Sequence, residues 1–242
     1  MKPRQRLRKG IILTSFFLFP ATFYYFSPVL IVESSSKGII NGSFIIFLLL
    51  FISSLVFGRV FCGWVCPAAG CQESIFPVIN KVVTGGDFIK WLIWLPWILS
   101  IMILSIRAGG YSKVDFFYRT THGLSIGNYQ GLLAYLFVLL VLIVLPAFII
   151  GKRSFCHHLC WMAPFMILGR KIHSAFKWQT LFLKADPEIC KNCRTCTQNC
   201  PMSLPVDKMV MSKKMENVEC VLCGTCVDGC KQGAIKYYWG KN

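Results

Sequence analysis

Four apolar stretches govern what this chain can fold into. Residues 11–32, 38–57, 88–106 and 129–150 each come close to or reach the roughly 20 residues that a helix needs to cross bilayer hydrocarbon. They leave a chain of 242 residues that is 55% hydrophobic with a mean hydropathy of +0.57, beyond the ordinary range of a water-soluble domain. The expected fold is a membrane all-α core of four transmembrane helices in two pseudo-symmetric pairs. Pro20, Pro28, Pro96 and Pro146 fall inside these stretches, where neighbouring helices can satisfy the carbonyls they free. Lys90 at the start of the third stretch is expected to snorkel to the interface, with Trp91, Trp94 and Trp97 as an aromatic belt. The first stretch has a basic lead-in but is too long for an ordinary signal core, so it reads as a retained anchor.

Charge sets the expected orientation. Lys and Arg number 26 against 10 Asp and Glu, a formal +16. In a chain with apolar spans, that excess points to an anionic membrane surface rather than to nucleic acid. Lys2, Arg4, Arg6, Arg8 and Lys9 precede the first stretch; Arg59, Lys81 and Lys90 follow the second; Lys152, Arg153, Arg170 and Lys171 follow the fourth. Only Lys37 separates the first two stretches, whereas Arg107, Lys113 and Arg119 depart from the pattern. Retention of positive charge in the cytoplasm predicts both termini on that side.

Thirteen cysteines carry the chemistry. The strings CKNCRTCTQNCP and CVLCGTCVDGCK supply Cys190, Cys193, Cys196 and Cys200, then Cys220, Cys223, Cys226 and Cys230. Three cysteines at two-residue intervals can reach three corners of an iron–sulfur cubane, and in two-cluster ferredoxins the fourth serves the other cluster. One [4Fe–4S] cluster is therefore expected on Cys190, Cys193, Cys196 and Cys230, and a second on Cys220, Cys223, Cys226 and Cys200. Zinc sites space two ligand pairs differently. The expected domains are residues 1–178, the membrane core, and residues 179–242, a cytoplasmic ferredoxin-like α+β module. Lys231 stands where the first string has Pro201; it either raises the potential of a neighbouring cluster or points to solvent.

Two further pairs follow apolar stretches. GRVFCGWVCPAA, from Gly58, aligns with the segment from Lys152 to Ala163, matching Phe61 to Phe155, Cys62 and Cys66 to Cys156 and Cys160, and Ala69 to Ala163. The i, i+4 spacing predicts each pair on one helical face. Together the four thiols suit a third iron–sulfur or metal centre, a redox-active thiol set, or buried packing cysteines. Cys71 has no counterpart and reads as structural. His157 and His158 are candidate ligands, donors to a ligand, or solvated residues. His122 is a candidate acceptor of a quinol proton or a solvated loop residue. No nucleotide fingerprint and no histidine pair for b-type haem is present in the sequence.

With the spans, paired cysteines and tail in place, the chain resembles the NapH/NosR/MauN group of membrane iron–sulfur proteins over nearly its whole length. Cys62–Pro67 fits the group's C-x3-C-P motif fully, while in Cys156–Cys160 Trp161 replaces the proline. The chain carries neither the large flavin-bearing region of NosR-type proteins nor the extra C-terminal domain of the FixG/CcoG type, which points to the NapH-like branch. The resemblance implies an inner-membrane electron-transfer subunit of an oxidoreductase complex, with quinol as substrate. It would work between the quinone pool and a partner iron–sulfur protein, cytochrome or terminal reductase. The alternatives are a membrane reductase for metal or thiol targets in maturation of a respiratory complex, and a subunit whose clusters only hold a complex together.

Overall fold

The computed structural model describes residues 2–176 and 178–241. Two helices, Ile89–Arg107 and Tyr129–Ile149, are long and apolar enough to cross a membrane. Helices Pro3–Phe17 and Phe19–Phe26 together make a third candidate, bent by 59°. Gly42–Phe57 is apolar but has 16 residues, about 24 Å of helix at the standard rise.

The stretch 11–32 is thus not one unbroken helix. Helix begins eight residues earlier than expected, at Pro3, breaks at Leu18, narrows to a tighter turn over Phe23–Phe26, and restarts at Pro28. Proline causes both breaks: each lacks the backbone N–H that would continue the preceding helix, yet fits the first turn of a new one. Ser27 caps the restart by accepting from Leu30 N at 3.4 Å. Pro96 lies within an unbroken helix, whereas Pro146 follows a π-helical segment over Val138–Val144. That wider turn accommodates the carbonyl that proline leaves without its usual donor.

The helices form one core around Gly42–Phe57, which packs along Ala163–Phe176, while Pro3–Phe17 packs along Pro67–Ile75. Trp91, Trp94 and Trp97 form no simple belt. Trp94 and Trp97 meet Phe165 edge-on, and Trp97 Nε1 donates to Pro28 O at 3.0 Å. At the end of the core away from the tail, strands Ile39–Asn41 and Lys113–Asp115 pair in parallel, a small departure from the all-α expectation. Glu33 there accepts from Lys37 at 3.2 Å and from Arg119 at 2.5 Å, which explains how those cations are accommodated.

The tail is a two-stranded antiparallel sheet, Thr180–Ala185 with Ile235–Gly240, enclosing three short helices. It sits on the core through ion pairs, of which those to Glu219 are buried. Arg59 and Lys90 both reach Glu219 at 2.6 Å, Arg170 reaches Glu216 at 2.9 Å, and Arg4 reaches Asp228 at 2.8 Å. Lys90 therefore does not snorkel: its side chain is 0% exposed because a tail carboxylate neutralises it. Both termini lie at the same end of the molecule, since Arg4 and Gln5 bind Asp228.

Candidate metal centres

Each cysteine string winds a loop into a short helix. Arg194 and Gly224 precede helices Thr195–Gln198 and Thr225–Gly229 in left-handed backbone, φ 57° and 72°. Glycine takes that conformation freely. A Cβ on Gly224 would also approach Tyr237 Oη to 2.4 Å, and that hydroxyl donates to Leu222 O at 2.6 Å. The two turns gather the sulfurs into two separate cavities. Cys190, Cys193, Cys196 and Cys230 line one, together with Lys191, Arg194 and Lys231. Cys200, Cys220, Cys223 and Cys226 line the other, walled by Met202, Leu204, Val206 and Met215. The fourth cysteine of each string thus sits with the first three of the other.

The membrane pairs are built by one local device used twice. Val60–Trp64 and Ser154–His158 are five-residue helices with Cys62 and Cys156 at the third position. Phe61 O accepts from both Val65 N and Cys66 N, at 2.9 Å each; Phe155 O accepts from Leu159 N at 3.0 Å and Cys160 N at 2.9 Å. These bonds end each helix between its two cysteines. The pairs are consequently not on one face of a continuous helix, as i, i+4 spacing suggests. Cys66 instead caps the next helix, Pro67–Ile75. In the second motif Trp161 replaces proline, its Nε1 donates to Phe26 O at 2.9 Å, and the following helix starts later, at Ala163.

All four of these cysteines are buried, at 2–3% exposure. They share one site. Burial pushes the Cys66 thiol well up, and the neighbouring Cys62, Cys156 and Cys160 add to that. Burial likewise pushes Cys156 up to about 11 and Cys160 up to about 12. Among the described residues, no three cysteine sulfurs lie within 4.8 Å of one another. A single tetrahedral zinc would hold thiolates about 3.8 Å apart.

Charge tests the fit further. Arg59 and Arg153 are 1% and 0% exposed and lie beside the membrane thiols. Arg153, in left-handed backbone at φ 47°, donates to Cys62 O at 2.9 Å and binds Glu73. Glu73 also receives Arg8 at 2.8 Å, and Glu219 receives both Arg59 and Lys90. Four buried cations therefore share two buried carboxylates. Asp87, 3.8 Å from Lys90, is half-exposed. Arg59 Nε and Nη2 and Arg153 Nε have no hydrogen-bond partner. Unpartnered buried donors are costly, and an iron–sulfur group held by four thiolates is an anion that would answer them. The donor set and the surplus positive charge fit such a group.

The tail meets this site directly. Trp64 Nε1 donates to Leu222 O at 3.1 Å, Gln5 Nε2 to Cys223 O at 3.0 Å, and Lys152 Nζ to Gln198 O at 2.8 Å. Gly63 is pressed against the loop: a Cβ there would stand 2.2 Å from Val221 O. His157, its counterpart in the second motif, turns away; its Nδ1 is 2.7 Å from Asp87 Oδ1, and its Nε2 is buried without a partner. Asp87, His157 and Glu219 gather within 4.8 Å of one another, but the Lys90 ammonium already serves both carboxylates as their cation. His158 Nδ1 lies 3.0 Å from Ser154 O and its ring fills the space beside Gly86. His122 is exposed at φ 52°, at the end of the core away from every cysteine motif. Cys71 is buried beside Tyr135, and Lys231 is exposed close to Cys193.

Sequence reasoning missed Arg8, Glu73, Asp87 and Glu219, which organise the charge around the membrane site. Local spacing gave no sign of Glu73 and Glu219 in this role, because their partners lie 65 to 160 residues away in the chain.

Comparison with known proteins finds iron–sulfur families over the same segments. A family described as a 4Fe-4S binding domain matches residues 42–84 and 132–179, taking in both membrane motifs. A 4Fe-4S dicluster domain matches residues 189–235. Uncharacterized protein MJ0749 of Methanocaldococcus jannaschii is 27% identical over 239 residues, 95% of this chain and 81% of that protein. YccM of Escherichia coli is 26% identical over 192 residues, 74% of this chain and 50% of YccM. The ferredoxin-type protein NapH of Haemophilus influenzae is 24% identical over 205 residues, 74% of this chain and 62% of NapH. No solved structure matches. The tail is an iron–sulfur module, the apolar helices make this a membrane protein, and its role is iron–sulfur electron transfer. Over most of its length the chain is similar to NapH-like membrane 4Fe–4S proteins.

Proposed function

We propose that this protein passes electrons between the quinone pool of the inner membrane and a partner iron–sulfur protein, cytochrome or terminal reductase. The reading places [4Fe–4S] clusters on Cys190, Cys193, Cys196 and Cys230 and on Cys200, Cys220, Cys223 and Cys226. A third iron–sulfur centre belongs on Cys62, Cys66, Cys156 and Cys160. When bound, these groups supply one-electron chemistry. The core crosses the bilayer four times in two related pairs, with residues 1–178 as core, 179–242 as module, and both termini cytoplasmic.

The observation that carries this reading is the seating of the Cys220–Cys223 loop on Gly63 and Trp64, inside the first membrane motif. Gly63 admits the loop where any side chain would hold it off. Trp64 and Gln5 fix its carbonyls, so a tail ligand loop and the membrane thiols stay in register. Arg59 and Arg153 hold positive charge beside the buried thiols, which favours their thiolate forms and stabilises added negative charge. Glu73 and Glu219 keep those guanidiniums in place. Burial of the four thiols keeps water and adventitious oxidants from the site.

The test is addition of a short-chain quinol analogue to the anaerobically oxidised protein in nanodiscs, followed by EPR. Appearance of reduced iron–sulfur signals supports the quinol reading. If dithionite reduces the protein and the quinol leaves it oxidised, that reading is wrong.

A further inference from the structure

The two tail cavities differ in what surrounds them. The Cys200/Cys220/Cys223/Cys226 cavity faces the core. For the other, no hydrogen bond or ion pair joins residues 190–196 or 230–236 to the core among the described residues. Of the thirteen cysteines, Cys193 alone is exposed.

Charge is sorted in the same direction. Glu216, Glu219 and Asp228 turn inward, to Arg170, to Arg59 and Lys90, and to Arg4. Asp207, the one carboxylate at the Cys193 cavity, accepts from Thr197 Oγ1 at 2.7 Å and lies 3.6 Å from Arg194. The rim keeps Lys191, Arg194 and Lys231, all exposed, around the Cys193 cavity. Asp186 and Glu188, the remaining exposed acids of this region, share a groove with Lys184, Lys213 and Lys236.

We infer that this face is the docking surface for an acidic, protein-borne one-electron carrier, an inference that rests on the electron-transfer reading above. A cationic rim over the most accessible cysteine suits the small and transient interfaces of redox partners. Opposite charge on the partner raises the encounter rate and orients it. Adhesion to anionic lipid is the competing outcome of the test. The exchange is outer-sphere: the carrier loses one electron as the chain gains it, or the reverse, with no bond made or broken and no proton required.

The probe is an acidic plant-type [2Fe–2S] ferredoxin, mixed with the full-length holoprotein in phosphatidylcholine nanodiscs. Binding is read by titration calorimetry and electron exchange by stopped-flow absorbance. Raising the ionic strength should weaken binding and slow second-order reduction by about ten-fold or more. The double variant Lys191→Glu/Arg194→Glu should lower both to a similar extent at low salt. Dithionite should reduce wild type and variant to the same number of electrons. The inference is overturned if dithionite reduces both normally while binding and rate ignore salt and the substitutions. It is also overturned if the substitutions abolish adhesion to phosphatidylglycerol vesicles and leave the ferredoxin untouched. Failure of dithionite to reduce wild type would instead sink the electron-transfer reading itself.

Discussion

The two membrane motifs, CGWVC and CHHLC, end their helices with the same pair of hydrogen bonds and bury both cysteines. They part at one position. Gly63 leaves a gap into which Val221 O fits; His157 fills the equivalent gap with a ring turned toward Asp87. At this position the first motif is open to the tail, whereas the second is closed by its own side chain and meets the tail instead through Lys152, which donates to Gln198 O. A repeated local structure has thus become a single site with one docking face, and the difference rests on the presence or absence of a side chain beside Cys62 and Cys156.

The largest effect expected is on iron. A wild type holding three [4Fe–4S] groups carries about 12 iron atoms per chain. Cys62→Ala combined with Cys156→Ala should remove about four of them, as should Cys226→Ala in the tail. Iron and acid-labile sulfide analysis reads this directly. Retention of the full wild-type complement in the double variant would mean that the motifs share geometry without sharing a cofactor.

Loss of the tail's anchor comes next. Glu219→Ala leaves Arg59 and Lys90 buried and uncompensated, which should cost about 3–5 kcal/mol of docking. Hydrogen exchange across residues 218–226 should rise to the level of a freely moving tail. If protection stays at the wild-type level, the ion pairs do not hold the tail to the open motif.

The gap itself is tested by Gly63→Ala, which drives a methyl into Val221 O. Overpacking of this kind should cost about 1–3 kcal/mol, seen as a lower unfolding temperature. His157→Ala in the closed motif meets no such clash from the tail. Equal effects at the two positions would mean that the motifs do not differ in the way described.

The smallest expected effect is acid dependence at Glu73. Burial pushes its carboxyl up, but Arg153 and Arg8 outweigh burial and hold it below the usual range. Its folded value is therefore below its unfolded one. The stabilisation is present above an ordinary carboxylate pKa of about 4.3 and is lost as pH falls through the folded value. Glu73→Gln should flatten that part of the stability–pH curve, monitored by circular dichroism on acidification.

Much of this was legible in residue spacing. The strings from Cys190 and Cys220 carry their own geometry, since alternating two-residue loops and a left-handed turn need nothing beyond the local chain. The motif at Cys156 could be matched to that at Cys62 because Phe155 and Phe61 both supply the terminating carbonyl. Helix limits were less legible. Pro20 and Pro28 break what hydropathy alone joins into one span, since transfer energy does not register a missing N–H. Lys90 was misread for a related reason: apolar surroundings suggest snorkelling only when no partner is in view, and Glu219 lies 129 residues away.

By itself the sequence determined the chemistry available: apolar helices that call for lipid, and thiol strings at cubane spacing. Both follow from backbone geometry and solvation over a few neighbouring residues. Only the tertiary structure decided that four thiols from two distant motifs share one buried, positively charged site. It also decided that the tail docks on the first motif and leaves Cys193 outward. Those outcomes depend on charge pairing and close approach between segments far apart in the chain, which no local pattern encodes.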